Sequence, residues 1–120
     1  MRFMKSLPRM TVDQLVKEYV QIGQFLNHRW PLKNQQQRIF ARIMKIVEEL
    51  GELADEILTS MNLQRRSKIA KFSRENLEDE FADVLGSLIL LAIEMDIDVE
   101  QVIKKKIEFT KLRFEMDHPN

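Results

Sequence analysis

The sequence predicts an all-α fold, and three observations carry that expectation. Apolar residues recur at helical spacing in four long segments. The three prolines, Pro8, Pro31 and Pro119, fall where those segments begin or end, and only three glycines occur. No stretch alternates apolar and polar residues for long enough to make a strand, and there is no internal repeat or low-complexity tract.

The first helix covers about residues 12–26, with Thr11 or Ser6 as candidate N-cap and Val12, Leu15, Tyr19, Ile22 and Leu26 on one face. The connector NHRWPLKN, with Pro31 inside it, ends that helix. A second helix covers about residues 35–61. The polar, basic link NLQRRSKIAKFS separates it from a third helix over about residues 74–95. Ser73 caps the third helix, and Glu75 in its first turn complements the helix dipole. The short link DID leads into a fourth helix over about residues 99–116. The expected architecture is a four-helix bundle making one domain over residues 1–120, with 1–10 and 117–120 as flexible ends.

Composition narrows the function. One hundred and twenty residues, 44% hydrophobic and 32% charged, suit one soluble globular domain. Nineteen basic and nineteen acidic residues cancel, so net charge gives no argument for a nucleic-acid polymer or a membrane surface, and neither is expected as a partner. The absence of cysteine excludes disulfides, thiolate zinc sites and a catalytic thiol, and suits a cytoplasmic protein. The stretch MRFMKSLPRM lacks the apolar core of a secretory signal. The longest apolar run, residues 84–93, contains Gly86 and Ser87 and reaches about half a membrane span.

The stretch KIVEELGELADEI, residues 45–57, places Glu48, Glu49, Glu52 and Glu56 on one helix. At about 100° per residue, Ile39, Ile43, Ile46, Leu50, Leu53 and Ile57 form an apolar stripe. Glu49, Glu52 and Glu56 fall together beside it, at the edge of the expected core, while Glu48 points further round. The third helix repeats the design: Glu80 and Asp83, one turn apart, flank a stripe of Leu77, Phe81, Val84, Leu88 and Met95. Packed antiparallel, the two helices would face carboxylate pairs toward each other. Their mutual repulsion raises each pKa unless a cation settles among them, and all-oxygen ligation suits Mg²⁺ or Mn²⁺. A lone E-E-x-x-E is more often a solvated face, with Lys45 pairing Glu49 at i,i+4; the second acidic pair turns the balance. Gly51 costs its helix about 1 kcal/mol relative to alanine, which predicts close packing there.

E-E-L-G-E at residues 48–52 and, after a 27-residue spacer, E-F-A-D at 80–83 resemble the signature of the MazG-type nucleotide pyrophosphohydrolases, E-E-x-x-E followed by E-x-x-D. The resemblance spans about residues 36–113. Its apolar context, VEELGELADE and LEDEFADVLGSLILLA, makes the ordered pair more specific than either half. The resemblance implies an all-α enzyme that uses Mg²⁺, with Mn²⁺ as a substitute. It would hydrolyse (deoxy)nucleoside triphosphates to the monophosphate and pyrophosphate, in nucleotide-pool housecleaning, as a homodimer or homotetramer. Carried onto this chain, Glu49, Glu52, Glu80 and Asp83 become the metal ligands, and Glu48 orients or deprotonates the attacking water. Along KIEFTKLR, Lys106 and Arg113 face the substrate, and Thr110 stands where the family has asparagine.

Such parts would drive in-line attack of water on the α-phosphorus by positioning and charge neutralisation, with Lys106 and Arg113 on the β- and γ-phosphates. Trp30, the only tryptophan, with Phe25 and Phe40 nearby, could stack on a nucleobase or simply close the gap between two helices; His28 is an alternative base contact. The run VLGSLILLAI is apolar on nearly every side, which predicts burial by a second subunit as well as by its own chain. Two other readings stand beside this one. A phosphoribosyl-ATP pyrophosphatase shares the fold and some acidic motifs, and a non-catalytic helical dimer would leave the acids as surface. A di-iron bundle needs two E-x-x-H pairs, and this chain has only one, Glu115 to His118.

Overall fold

The structure, a computed structural model, describes residues 6–115. Five helices follow in order: α1 (Val12–Arg29), α2 (Gln35–Ser60), α3 (Arg66–Ile69), α4 (Arg74–Glu94) and α5 (Val99–Arg113). Among the described residues there is no strand, so the all-α class holds. Residues 6–11 carry no regular structure, while 1–5 and 116–120 lie outside the described residues.

Local chemistry starts and stops these helices. Thr11 makes a capping box with Gln14, accepting from its backbone N–H at 3.2 Å while the Gln14 side chain accepts from the Thr11 N–H at 2.9 Å. Asn34, Ser73 and Asp98 cap α2, α4 and α5 in the simpler way, each accepting from the N–H three residues on. Helices α2 and α4 end on Asn62 and Asp96, both with φ in the left-handed region, at 60° and 54°. There the N–H groups of Leu63 and Ile97 reach back to the carbonyls of Leu58 and Ala92. The polar link after α2 contains α3, which sequence periodicity did not register. Four residues are too few for a periodic signal, and α3 is held from outside: Lys68 Nζ lies 2.8 and 2.9 Å from the two Asp55 carboxylate oxygens, and Gln64 Nε2 donates to Asp55 at 2.6 Å.

Helices α2 and α4 form the main packing pair and run antiparallel. Residues stepping four and three apart mark the seam: Arg38, Arg42, Lys45, Glu49 and Glu52 on α2, with Glu80, Asp83, Ser87, Leu90 and Glu94 on α4. Helix α1 crosses α4 closely. A Cβ on Gly23 would stand 3.3 Å from Leu90 Cδ2, and one on Gly86 only 2.5 Å from the Tyr19 hydroxyl. Helix α5 packs mainly on α1.

This arrangement corrects the expected core. The stripes assigned to it on α2 and α4 are largely uncovered in the chain: Ile43, Leu50 and Ile57 are exposed, as are Phe81, Leu88 and Met95. Glu49, placed at the core edge by the helical wheel, is itself buried. Gly51 has nothing within 4 Å of a built Cβ, so close packing within this chain does not account for it. The Cα radius of gyration is 18.0 Å, against about 14 Å for a compact domain of this length. No described helix is long and apolar enough to cross a membrane.

Candidate metal centre and adjoining cavity

The α2–α4 seam sorts its charges along its length. From the N-terminal end of α2 it carries Arg38, Arg42 and Lys45, then Glu49, Glu52 and Glu56. At one end Arg38 Nε meets Glu94 Oε1 at 2.8 Å. At the other, antiparallel packing brings the acidic half of α2 against Glu80 and Asp83.

One carboxylate oxygen from each of Glu49, Glu52 and Glu80 lies within 4.8 Å of the others. The second oxygens of Glu49 and Glu80 are buried without any hydrogen-bond partner. Buried acceptors left unpartnered are costly, and crowded carboxylates repel. Burial pushes the Glu80 carboxyl up to about 7, helped by the Glu52 charge and hydrogen bond and by Asp83 and Glu49. Burial also raises Asp83, with Glu49 and Asp79 adding to the shift and Lys45 opposing it. A group of hard oxygen donors holding unpartnered oxygens and a carboxyl shifted toward its neutral form fits a divalent cation of the Mg²⁺ or Mn²⁺ kind. Asp83, expected as the fourth ligand, stands outside the close trio; it is exposed and shares the neighbouring cavity wall with Glu49. Glu56 also leaves one buried oxygen unpartnered, but it belongs to no such group.

Lys45 places its ammonium 3.2 Å from both Glu48 Oε1 and Glu49 Oε1. Those two acids raise its pKa, Glu49 first. The i,i+4 pairing that would make E-E-x-x-E an ordinary surface is therefore present, yet it occupies only one oxygen of Glu49. Glu48, the expected water-activating residue, is exposed and engaged with Lys45.

Beside the carboxylates, α1, α2 and α4 enclose a cavity of about 570 Å³, within the range of small-molecule sites. Tyr19, Leu26, Trp30 and Leu90 give it apolar walls. Asn27, Arg38, Arg42 and Lys45 give it polar ones, and it reaches Glu49 and Asp83 at its acidic end. Trp30 lines the cavity while 63% exposed. Lys106, Thr110 and Arg113 lie on α5, and none of them lines this cavity. The Lys106 ammonium lies 5.3 Å from the Phe109 ring centre, and the Arg113 guanidinium 5.3 Å from that of Phe114. Of the basic residues that do reach the cavity, Arg38 and Arg42 were not singled out from sequence, and Lys45 was read only as a partner of Glu49. Their signal was there: they continue the four-and-three spacing of Glu49, Glu52 and Glu56 backward along α2.

A family model of the MazG nucleotide pyrophosphohydrolase domain matches residues 37–114, from α2 to just beyond α5. The match covers every carboxylate of the cluster and leaves the α1 wall of the cavity outside it. No curated protein matches the chain.

Proposed function

The chain belongs to the MazG nucleotide pyrophosphohydrolase family, and from that premise we infer that it hydrolyses (deoxy)nucleoside triphosphates to the monophosphate and pyrophosphate with Mg²⁺. One observation carries the reading: carboxylate oxygens of Glu49, Glu52 and Glu80 converge within 4.8 Å, with a buried oxygen of Glu49 and one of Glu80 lacking partners, and Glu49 also lines a cavity whose other walls are cationic and apolar. An acidic centre for a metal and a basic, partly apolar recess for a nucleotide are the complementary halves such a substrate needs.

Glu49, Glu52 and Glu80 would hold the cation, with Asp83 joining them from the cavity wall. The bound cation would neutralise phosphate charge and lower the pKa of a coordinated water. The protein's own share is positioning. Lys45, between the carboxylates and the arginines, would steady a phosphate oxygen once it leaves its acidic partners. Glu48, freed by the same exchange, would accept the proton of the attacking water. Trp30, Leu26 and Leu90 would take the base and exclude water from the α-phosphorus side.

Self-association belongs to the same reading. An apolar groove of about 660 Å³ between α1, α4 and α5, lined by Leu15, Leu85, Leu88 and Ile103 among others, and the uncovered apolar back of α2 are surfaces a second copy would bury. Lys106, Thr110 and Arg113, outside the lining of their own chain's cavity, would serve a site formed with that copy.

The test is pyrophosphate release from a panel of ribo- and deoxyribonucleoside triphosphates, with Mg²⁺ and with EDTA. The expected result is metal-dependent release with the monophosphate as co-product. Release that survives EDTA, or phosphate in place of pyrophosphate, would overturn the reading.

A further inference from the structure

Among the basic residues lining the cavity, Arg42 alone has a buried nitrogen without a hydrogen-bond partner. Its Nη2 donates to Asn27 Oδ1 at 2.8 Å, while its Nε is buried with no partner. Asn27 is tied in turn, its Nδ2 donating to Glu94 Oε1 at 3.4 Å, and Glu94 is pinned by Arg38 at 2.8 Å. The chain of contacts fixes the plane of the fork before any ligand arrives. A guanidinium can only donate and stays charged, so its remaining N–H groups call for acceptors.

Position separates Arg42 from a phosphate role. It lies seven residues before Glu49 on the same seam, about 10 Å along the helix axis. Lys45 stands between them and is the cation nearer the carboxylates. With the α-phosphorus at the acidic cluster, a nucleoside laid along the cavity carries its base toward Arg42, between the apolar walls of Tyr19, Leu26 and Leu90. Resting on the pyrophosphohydrolase reading of the cluster, we propose that Arg42 reads the nucleobase and selects one with two adjacent acceptors, as on the O6/N7 edge of a 6-oxopurine. Adenine presents an amino donor beside N7, which sets donor against donor. Asn27 is the positioning residue that aims the fork.

The sole tryptophan, Trp30, lines the same cavity, so its fluorescence reports occupancy without turnover. The experiment titrates the full chain, with Mg²⁺ present, with guanosine and adenosine monophosphates, and measures pyrophosphate release separately. The wild type is expected to bind the guanine nucleotide about tenfold or more tightly than the adenine one. Arg42→Met brings that ratio to near one. Arg42→Lys keeps the charge but not the planar fork and does not restore it, and Asn27→Ala lowers it in the same direction. A wild-type ratio near one, no binding of either mononucleotide, or an equal loss of both in Arg42→Met overturns the proposal. Should Arg42→Met fail to fold by its melting curve, the wild-type ratio and Arg42→Lys decide. Release of pyrophosphate with a flat binding ratio removes the base-reading role alone. Absence of release with the ratio intact removes the enzymatic reading alone.

Discussion

Arg38 Nε lies 2.8 Å from Glu94 Oε1, and this pair fixes the register of the seam that assembles the carboxylates three and four turns further along. Both side chains are largely covered, Glu94 at 11% exposure and Arg38 at 29%. Glu94 also accepts from Asn27, and its backbone carbonyl takes Gln35 Nε2 at 2.7 Å, so one residue ties α4 to both α1 and α2. Glu94→Ala leaves Arg38 and Asn27 without their acceptor. The expected cost is about 1–3 kcal/mol in denaturant unfolding, with weaker Mg²⁺ binding because the seam loses its clamp. A Glu94→Ala protein with unchanged stability would show that the register is set elsewhere.

Glu80→Gln is expected to separate stability from metal binding. In the metal-free protein the substitution removes a buried carboxyl that Glu52, Asp83 and Glu49 repel, so the melting temperature holds or rises. With Mg²⁺ the order reverses. Wild type gains about 2.7 kcal/mol at a hundredfold excess of metal over its Kd, and Glu80→Gln gains little. Thermal melts with and without Mg²⁺ check both arms, and turnover is lost in the variant. A Glu80→Gln protein stabilised by Mg²⁺ as much as wild type would remove Glu80 from the centre.

Much of this was legible in the sequence, for stated physical reasons. Thr11 and Ser73 were recognisable caps, and Pro31 marked a helix end. Glu49, Glu52, Glu80 and Asp83 announced themselves by helical spacing on two segments. The wheel could not tell which stripe of α2 the chain covers, because α2 is apolar on the side of Leu50 and charged on the side of Glu49. Burial followed the charged side, since the opposite charges on Arg38 and Glu94 and the small residues Gly86 and Ser87 let α2 and α1 approach α4 there. The α3 segment was illegible because Asp55, far back on α2, holds it in place.

The pH dependence of stability should change sign with metal. Glu80 has a folded pKa of about 7, above its unfolded value, so between roughly pH 4.3 and 7 the native state holds a proton that the unfolded chain has lost. Metal-free stability from this group is therefore present at low pH and lost as pH rises through 7, and the raised Asp83 adds in the same direction. Saturating Mg²⁺ requires the ionised carboxylates, so the metal-bound protein gains stability as pH rises through the same window. The difference between wild type and Glu80→Gln, followed by melting from about pH 5 to 8, isolates the group. Parallel slopes with and without Mg²⁺ would contradict the assignment.

Gly86→Ala tests whether the α1–α4 crossing shapes the cavity. An added Cβ would stand 2.5, 2.8 and 2.9 Å from the hydroxyl oxygen, Cε1 and Cζ of Tyr19, closer than real contacts allow. Both residues line the cavity, so the ring has one open direction in which to yield, into the space assigned to the nucleoside. Overpacking of this kind costs about 1–3 kcal/mol. Because Tyr19 moves and the carboxylates do not, the variant should keep its Mg²⁺-induced rise in melting temperature while its nucleotide affinity falls. Titrating Trp30 fluorescence with nucleotide, alongside melts with Mg²⁺, distinguishes the two effects. If metal response and nucleotide affinity fell together, the crossing would be supporting the whole seam rather than the cavity wall. If neither fell, Tyr19 would have a second resting place that leaves the cavity open.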